Sequence, residues 1–302
     1  MSSTALPGTA GSSTIVQYSP SGSVENTYSI GGHVDGLKFD PVTGNVWALQ
    51  NEDANSTLSF INPATKQVSS QLSYGSGYVY GSSSSRGVDD VAFDHGKVFI
   101  SQTAPANAGD PVISQLLNGN APFGTLETNA ILRLGDTGTN LATGQTNQPL
   151  PVSDPDSLKT LPDGSLILTS EADAAFTIIA HPGTSQQSAS FIKLPSDAGT
   201  PDDAIMPAAT SGTFYISAQT NNDVVAAKMT GLSLKDLYAS VGNNLDQIDL
   251  QTGAVTTLVS GVTGAHGLLF VPSSTGSAVA GTSPNNTTPT MTAMLQQSTG
   301  HA

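Results

Sequence analysis

Five segments bring an acidic residue or a histidine to the same place ahead of an apolar run. They are HVDGLKFD (33–40), GVDDVAFD (87–94), DPDSLKTL (154–161), TPDDAIMP (200–207) and GAHGLLFV (264–271). The aligned position holds Asp35, Asp89, Asp156, Asp202 and His266. Four carboxylates converging on one axis would repel one another unless a bound cation, shared protons or ordered water relieved the charge. An oxygen-rich, sulfur-free donor set suits a hard divalent cation, Ca2+ first, and His266 shifts the set toward a first-row transition metal. Two other readings stand beside the metal. The Asp residues could instead bond local backbone N–H groups and tie neighbouring repeats, or the acids could share protons.

Further groups with usable chemistry flank these motifs. Glu52 and Glu171 follow apolar strands and could serve as ligand or base, and His266 could move a proton. His33 stands two residues before Asp35. Arg86 directly precedes the second motif and could bind an anionic substrate group. Tyr78 and Tyr80 could line a pocket wall. No nucleophile elbow, P-loop, dinucleotide fingerprint or HExxH zinc motif is present.

The elements that position these residues are repeated too. A second apolar strand follows each of the first four motifs: NVWALQ (45–50), KVFISQ (97–102), SLILTS (165–170) and TFYISA (213–218). Their β-branched and aromatic residues fit a pleated surface, and Gly, Asp and Pro fill the turns before them. A third element is a hairpin with a Gly- or Pro-containing turn, such as STLSFINPATKQVSSQL and LDQIDLQTGAVTTLV; its fifth copy, TIVQYSPSGSVENTYSI (14–30), lies at the N-terminus. Self-similarity at this scale is the signature of a propeller. The expected fold is therefore an all-β β-propeller of five four-stranded blades, closed by N- and C-terminal strands in one blade, with residues 14–30 pairing with 267–281. Short helices are expected at 111–119 and 232–242. Reading LYASV (237–241) as a strand instead would give six blades. The expected limits are a disordered leader (1–13), one domain (14–282) and a disordered tail (283–302).

Composition narrows the partners. Only 11% of residues are charged and the net charge is −14, which repels phosphate backbones and anionic lipid. Nucleic acid is therefore not an expected partner. The absence of cysteine excludes disulfides and thiolate sites. No apolar run is long enough to span a bilayer. The low-charge, Ser- and Thr-rich chain reads as a monomer that is secreted or periplasmic, its signal peptide already removed.

GLKFDPVTGNVWALQ (36–50) and QIDLQTGAVTTLVSGVTGAHGLLFVP (247–272) resemble blades of the NHL, SMP-30/gluconolactonase and streptogramin-lyase propeller superfamily. That resemblance implies metal-dependent lactonase or lyase chemistry on the channel axis. A lactonase-like site would draw on Glu52, Asn51 and the ring Asp residues around a divalent cation. A lyase-like site would use His266 with Glu52 or Glu171. The expectation is an exported, metal-dependent hydrolase or lyase acting on a small molecule at the channel mouth. The alternative is a non-catalytic propeller that binds a ligand or a protein and has a structural Asp ring.

Overall fold

The structure is a computed structural model that describes residues 11–19, 23–52, 56–74, 87–118, 126–273 and 293–297. The described residues are all-β apart from one 3-10 turn at Gln219–Asn221. The chain divides into two compact units, one of residues 1–105, 111–131 and 283–302, the other of 106–110 and 132–282.

The first unit opens on the hairpin β1 (Ser12–Tyr18) and β2 (Val24–Gly31). Blade 1 contains β3 (Val34–Phe39), β4 (Val46–Gln50) and β5 (Thr57–Asn62), with the short strands β6 (Gln67–Val68) and β7 (Leu72–Ser73) both paired to β5. Blade 2 is β8 (Val88–Asp94), β9 (Lys97–Gln102), β10 (Pro111–Leu116) and β11 (Thr128–Arg133), side by side in that order. The β8–β9 turn shows why sequence and backbone agree. Asp94 pairs with Lys97, and His95 and Gly96 between them have φ of 46° and 82°. A two-residue turn with both φ positive twists in the sense the flanking strands require.

The second unit carries β12 (Thr137–Asn140) and β13 (Gln148–Pro149), then blade 3 as β14 (Pro155–Thr160), β15 (Leu166–Ser170), β16 (Ala175–Ala180) and β17 (Ser188–Lys193). β12 runs parallel to β17 and covers the outer edge of blade 3. Next come β18 (Pro201–Ile205), β19 (Ser211–Ala218), β20 (Asp223–Thr230), β21 (Leu237–Val241), β22 (Asn244–Ile248), β23 (Val255–Ser260) and β24 (Ala265–Pro272). Back in the first unit, β25 (Ala293–Gln297) pairs antiparallel with β1.

Each of the five motif strands begins one sheet, as expected of a five-bladed β-propeller. A further sheet joins β2, β1 and β25, so N- and C-terminal strands do share a sheet. Its C-terminal member, however, is residues 293–297 of the stretch expected to be disordered, not 267–281. Of the latter, residues 267–272 belong to β24, which pairs with β19 instead, and residues 274–281 lie outside the described residues.

Blade 4 also differs from expectation. Its second strand is β21, the LYASV segment, and its order is β18, β21, β22, β23. The expected second strand, TFYISA, lies in β19, whose hairpin with β20 extends the sheet of β24. Burial explains the choice. All five residues of β21 are buried, and the Tyr238 ring stacks on Phe214 of β19 at 5.2 Å between centroids. Among the described residues no helix forms in the expected stretches 111–119 and 232–242, where β10 takes residues 111–116 and β21 takes 237–241. Both segments are apolar on both faces because both faces are covered. Such runs do not distinguish helix from strand by period.

Second strands form the interior of each unit. β4, β15 and β21 are buried at every residue. Trp47 and Leu49 of blade 1 pack with Val91, Val98 and Ile100 of blade 2. Ile167, Phe176 and Ile192 of blade 3 pack with Leu237 and Ile248 of blade 4, and Tyr238 and Leu245 with Leu268 and Phe270 of β24.

Ion pairs with buried carboxylates and partly buried lysines reinforce this packing. Lys38 of β3 meets Asp90 of β8 at 2.6 Å, and Lys159 of β14 meets Asp203 of β18 at 2.5 Å. The same Asp203 oxygen accepts the Leu268 N–H at 2.6 Å, while Lys159 donates to the Leu268 carbonyl. One carboxylate thus joins blades 3 and 4 to β24. Removing one partner strands a buried charge, so Asp203→Ala should cost about 3–5 kcal/mol in urea unfolding. The double variant Asp203→Leu/Lys159→Met should recover part of that loss. Additive losses in the double variant would contradict the tie.

Candidate functional site

All five aligned residues sit in a break of strand register. Pairing slips between Val34 and Leu37 around Asp35, and between Val88 and Val91 around Asp89. It slips again between Pro155 and Leu158 around Asp156, and between Pro201 and Ala204 around Asp202. Opposite His266, the slip falls between Ile216 and Ala218 of β19. A bulge bends its strand and re-aims side chains. It also frees a backbone N–H, and in blades 2 and 4 a serine of the neighbouring strand accepts it. Asp90 N–H reaches Ser101 Oγ at 2.9 Å, and Asp203 N–H reaches Ser240 Oγ at 3.0 Å. The repeated Asp is therefore the residue that the bulge turns out of the ordinary pleat.

In the second unit this brings four of the sequence-predicted residues together. Oxygens of Asp156, Glu171 and Asp202 lie within 4.8 Å of one another; Asp156 and Glu171 are half-buried and Asp202 is more deeply buried. Asp156 comes from β14, Glu171 from the turn after β15, and Asp202 from β18. His266 of β24 bonds through Nδ1 to Asp202 Oδ2, leaving Nε2 as the nitrogen that can meet a ligand. Calcium ligands sit at about 2.3–2.6 Å from the ion, so oxygens across one ion are at most about 5 Å apart. The carboxylate trio meets that limit and could bind a metal ion.

Electrostatics follow from the crowding. Burial lifts the Glu171 pKa above 4.5, with the charges of Asp202 and Asp154 adding and that of His266 opposing. Burial likewise lifts Asp202 above 3.8, against the hydrogen bond and charge of His266. The hydrogen bond to Asp202 raises His266 above 6.5 although burial opposes it. One proton belongs to the Asp202–His266 pair, and the more basic imidazole carries it.

The other described residues of the expected site belong to the first unit. Asp35 pairs with His33 Nδ1 at 2.5 Å, and the His33 N–H donates to Asn51 Oδ1 at 3.1 Å. Asp89 accepts from Thr103 Oγ1 at 3.2 Å. These residues and Glu52, which follows β4 and the left-handed Asn51, belong to the first unit. Arg86, Tyr78 and Tyr80 lie outside the described residues.

Sequence reasoning missed the residues behind the ring. Asp90 and Asp203 each follow a ring Asp, and their partners Lys38 and Lys159 each stand three residues after the ring position of the preceding motif. Lining the motifs up in columns would have shown Lys and Asp alternating from one to the next. It also missed Asp173, which orders the turn carrying Glu171.

No protein-family model matches the chain, and no curated protein matches it. Among solved structures, virginiamycin B lyase from Staphylococcus aureus is similar, at 16% identity over 75% of this chain and 70% of that one, TM-score 0.38. A protein from Lactobacillus plantarum is 10% identical over 83% of this chain and 78% of that one, TM-score 0.46. The structure of a nidogen/laminin complex is 12% identical over 85% of this chain and 97% of that one, TM-score 0.39. These similarities are at low sequence identity, and none of them transfers an activity to this chain.

The three raised pKa values act in one direction on stability. The folded chain holds these protons more tightly than the unfolded one. His266 therefore contributes fully below about pH 6.5 and loses its contribution as pH rises through its folded value. Melting curves of wild type and His266→Gln should differ most near pH 6 and converge toward pH 9. A difference that grows with pH would contradict the His266–Asp202 bond.

Proposed function

We propose that the chain is an exported, cation-dependent β-propeller enzyme, a hydrolase or lyase of lactonase-like chemistry, acting on a small molecule. The observation that carries the reading is the meeting of Asp156, Glu171 and Asp202 within 4.8 Å, with His266 held on Asp202. Asp156, Glu171 and Asp202 would hold the cation. All-oxygen donors favour Ca2+, and His266 Nε2 is the one donor that would favour a first-row ion. When bound, such an ion would polarise a substrate carbonyl.

The chain's own groups supply the rest. Asp202 fixes the tautomer and direction of His266, whose proton is then available to a leaving group or an oxygen anion. A Glu171 with a raised pKa gains and loses a proton closer to neutrality than an ordinary carboxyl. Export is supported by the low-charge, Ser- and Thr-rich composition. A second reading, a ligand-binding propeller with structural acids, is favoured by one observation: the Asp89 carboxylate is engaged by Thr103 rather than left for a ligand.

Cation binding separates the two. Wild type should melt lower in chelator and be restored by Ca2+ or Mn2+, with a gain near 2.7 kcal/mol at 100-fold saturation. Glu171→Gln and Asp202→Asn should stay folded and lose the response. In a screen of lactones and cyclic esters, His266→Ala should cost about 10²–10⁴ in turnover on any substrate found. A melting temperature indifferent to chelator and cations would remove the metalloenzyme reading.

A further inference from the structure

The acidic segment SEAD (170–173) supplies Glu171 to the cluster, but its last residue has a separate task. Asp173 Oδ2 accepts three hydrogen bonds: the Ser153 N–H at 2.7 Å, Ser153 Oγ at 2.9 Å and Ser170 Oγ at 2.8 Å. Two of these donors belong to the residue that leads into β14, three positions before Asp156. The third is the last residue of β15, one position before Glu171.

The bonds continue inward from there. Ser170 Oγ accepts the Asp154 N–H at 3.3 Å, and the Glu171 N–H donates to the Asp154 carbonyl at 3.1 Å. The turn closes when the Ala174 N–H meets the Glu171 carbonyl at 3.0 Å, with Ala174 at φ 47°. A left-handed non-glycine residue persists only where its surroundings over-determine it. The Leu194 N–H holds the Ala174 carbonyl at 2.8 Å on one side of this turn, and the Asp173 carboxylate holds Ser170 and Ser153 on the other.

From this geometry we infer that Asp173 is a positioning residue: it clamps the lead into β14 to the end of β15 and so sets the gap between Asp156 and Glu171. It does this through the backbone on either side, with one oxygen given over to the clamp. The inference rests on the proposed cation site for its consequence and on the hydrogen bonds for its substance. Supporting groups of this kind typically change metal affinity about 10–100-fold when removed.

The test uses the full chain, with Ca2+ and Mn2+ as probes and amide exchange as a second readout. Asp173→Ala should weaken cation binding by at least 10-fold while the chelator-treated melting temperature stays close to that of wild type. Asp173→Asn, which can still place an oxygen at the clamp, should recover most of the affinity. Ser153→Ala, which removes one donor and keeps the backbone N–H, should fall between. In Asp173→Ala the amides of Glu171 and Ala174 should exchange faster while those of β16 do not.

Unchanged cation affinity in Asp173→Ala would overturn the inference and leave the cation site standing. If wild type binds no cation, the proposed site fails and exchange alone decides. Faster exchange confined to residues 171–174 keeps Asp173 as the clamp, and unchanged exchange overturns it.

Discussion

A bulge at the start of a strand turns two consecutive side chains away from the positions a regular pleat would give them. At Asp202 and Asp203 that displacement has two consequences. Asp202 meets Asp156, Glu171 and His266, while Asp203 lies buried against Lys159 and the backbone of Leu268. The N–H that the bulge releases is taken up by Ser240 Oγ, so the irregularity leaves no donor stranded there. The acids of the site and the charge that joins neighbouring blades thus come from one local break in register. The same device recurs in the first unit, where Asp89 and Asp90 part company around Ser101 and Lys38.

The coupling has an energetic logic. Carboxylates brought within 5 Å of one another repel, and burial raises the cost. The strands that present them must therefore be held by something stronger than their ladder hydrogen bonds, which the bulge interrupts. The buried Lys159–Asp203 pair, bonded on both sides to Leu268, provides that hold. His266 lowers the cost further by placing a shared proton against Asp202. Asp173 acts on the other side of the cluster, where its hydrogen bonds keep its own carboxyl ionised more readily than usual despite burial.

Much of this was legible in the sequence. The five motifs were visible as repeats, and each does begin a sheet. The ring positions were found by alignment, and Glu171 by its place at the end of a second strand. Blade 4 was misread because TFYISA, with four β-branched or aromatic residues in six, reads as a stronger strand than LYASV, with two in five. Only the packing of Tyr238 on Phe214 decides which lies beside β18. The C-terminal partner of β1 was misplaced because β25, AMLQQ, lies in a Pro-, Asn-, Thr- and Ser-rich stretch that reads as a tail, whereas the eight-residue β24 reads as a strand and is claimed by β19. The ties between blades were missed for another reason. Lys159 and Asp203 are 44 residues apart in adjacent motifs, so the pair shows only when the motifs are compared column by column, not within one repeat.

The claim on which the account turns is that the bulges at Asp156 and Asp202, with the turn at Glu171, build one cation-binding cluster. Diffraction from crystals soaked in Mn2+, recorded at a wavelength where manganese scatters anomalously, tests it directly. The account predicts an anomalous peak in contact with Asp156, Glu171 and Asp202, lost in Glu171→Gln. Crystals in which the three carboxylates stay together with no peak between them, or in which the peak lies away from all three, would contradict it.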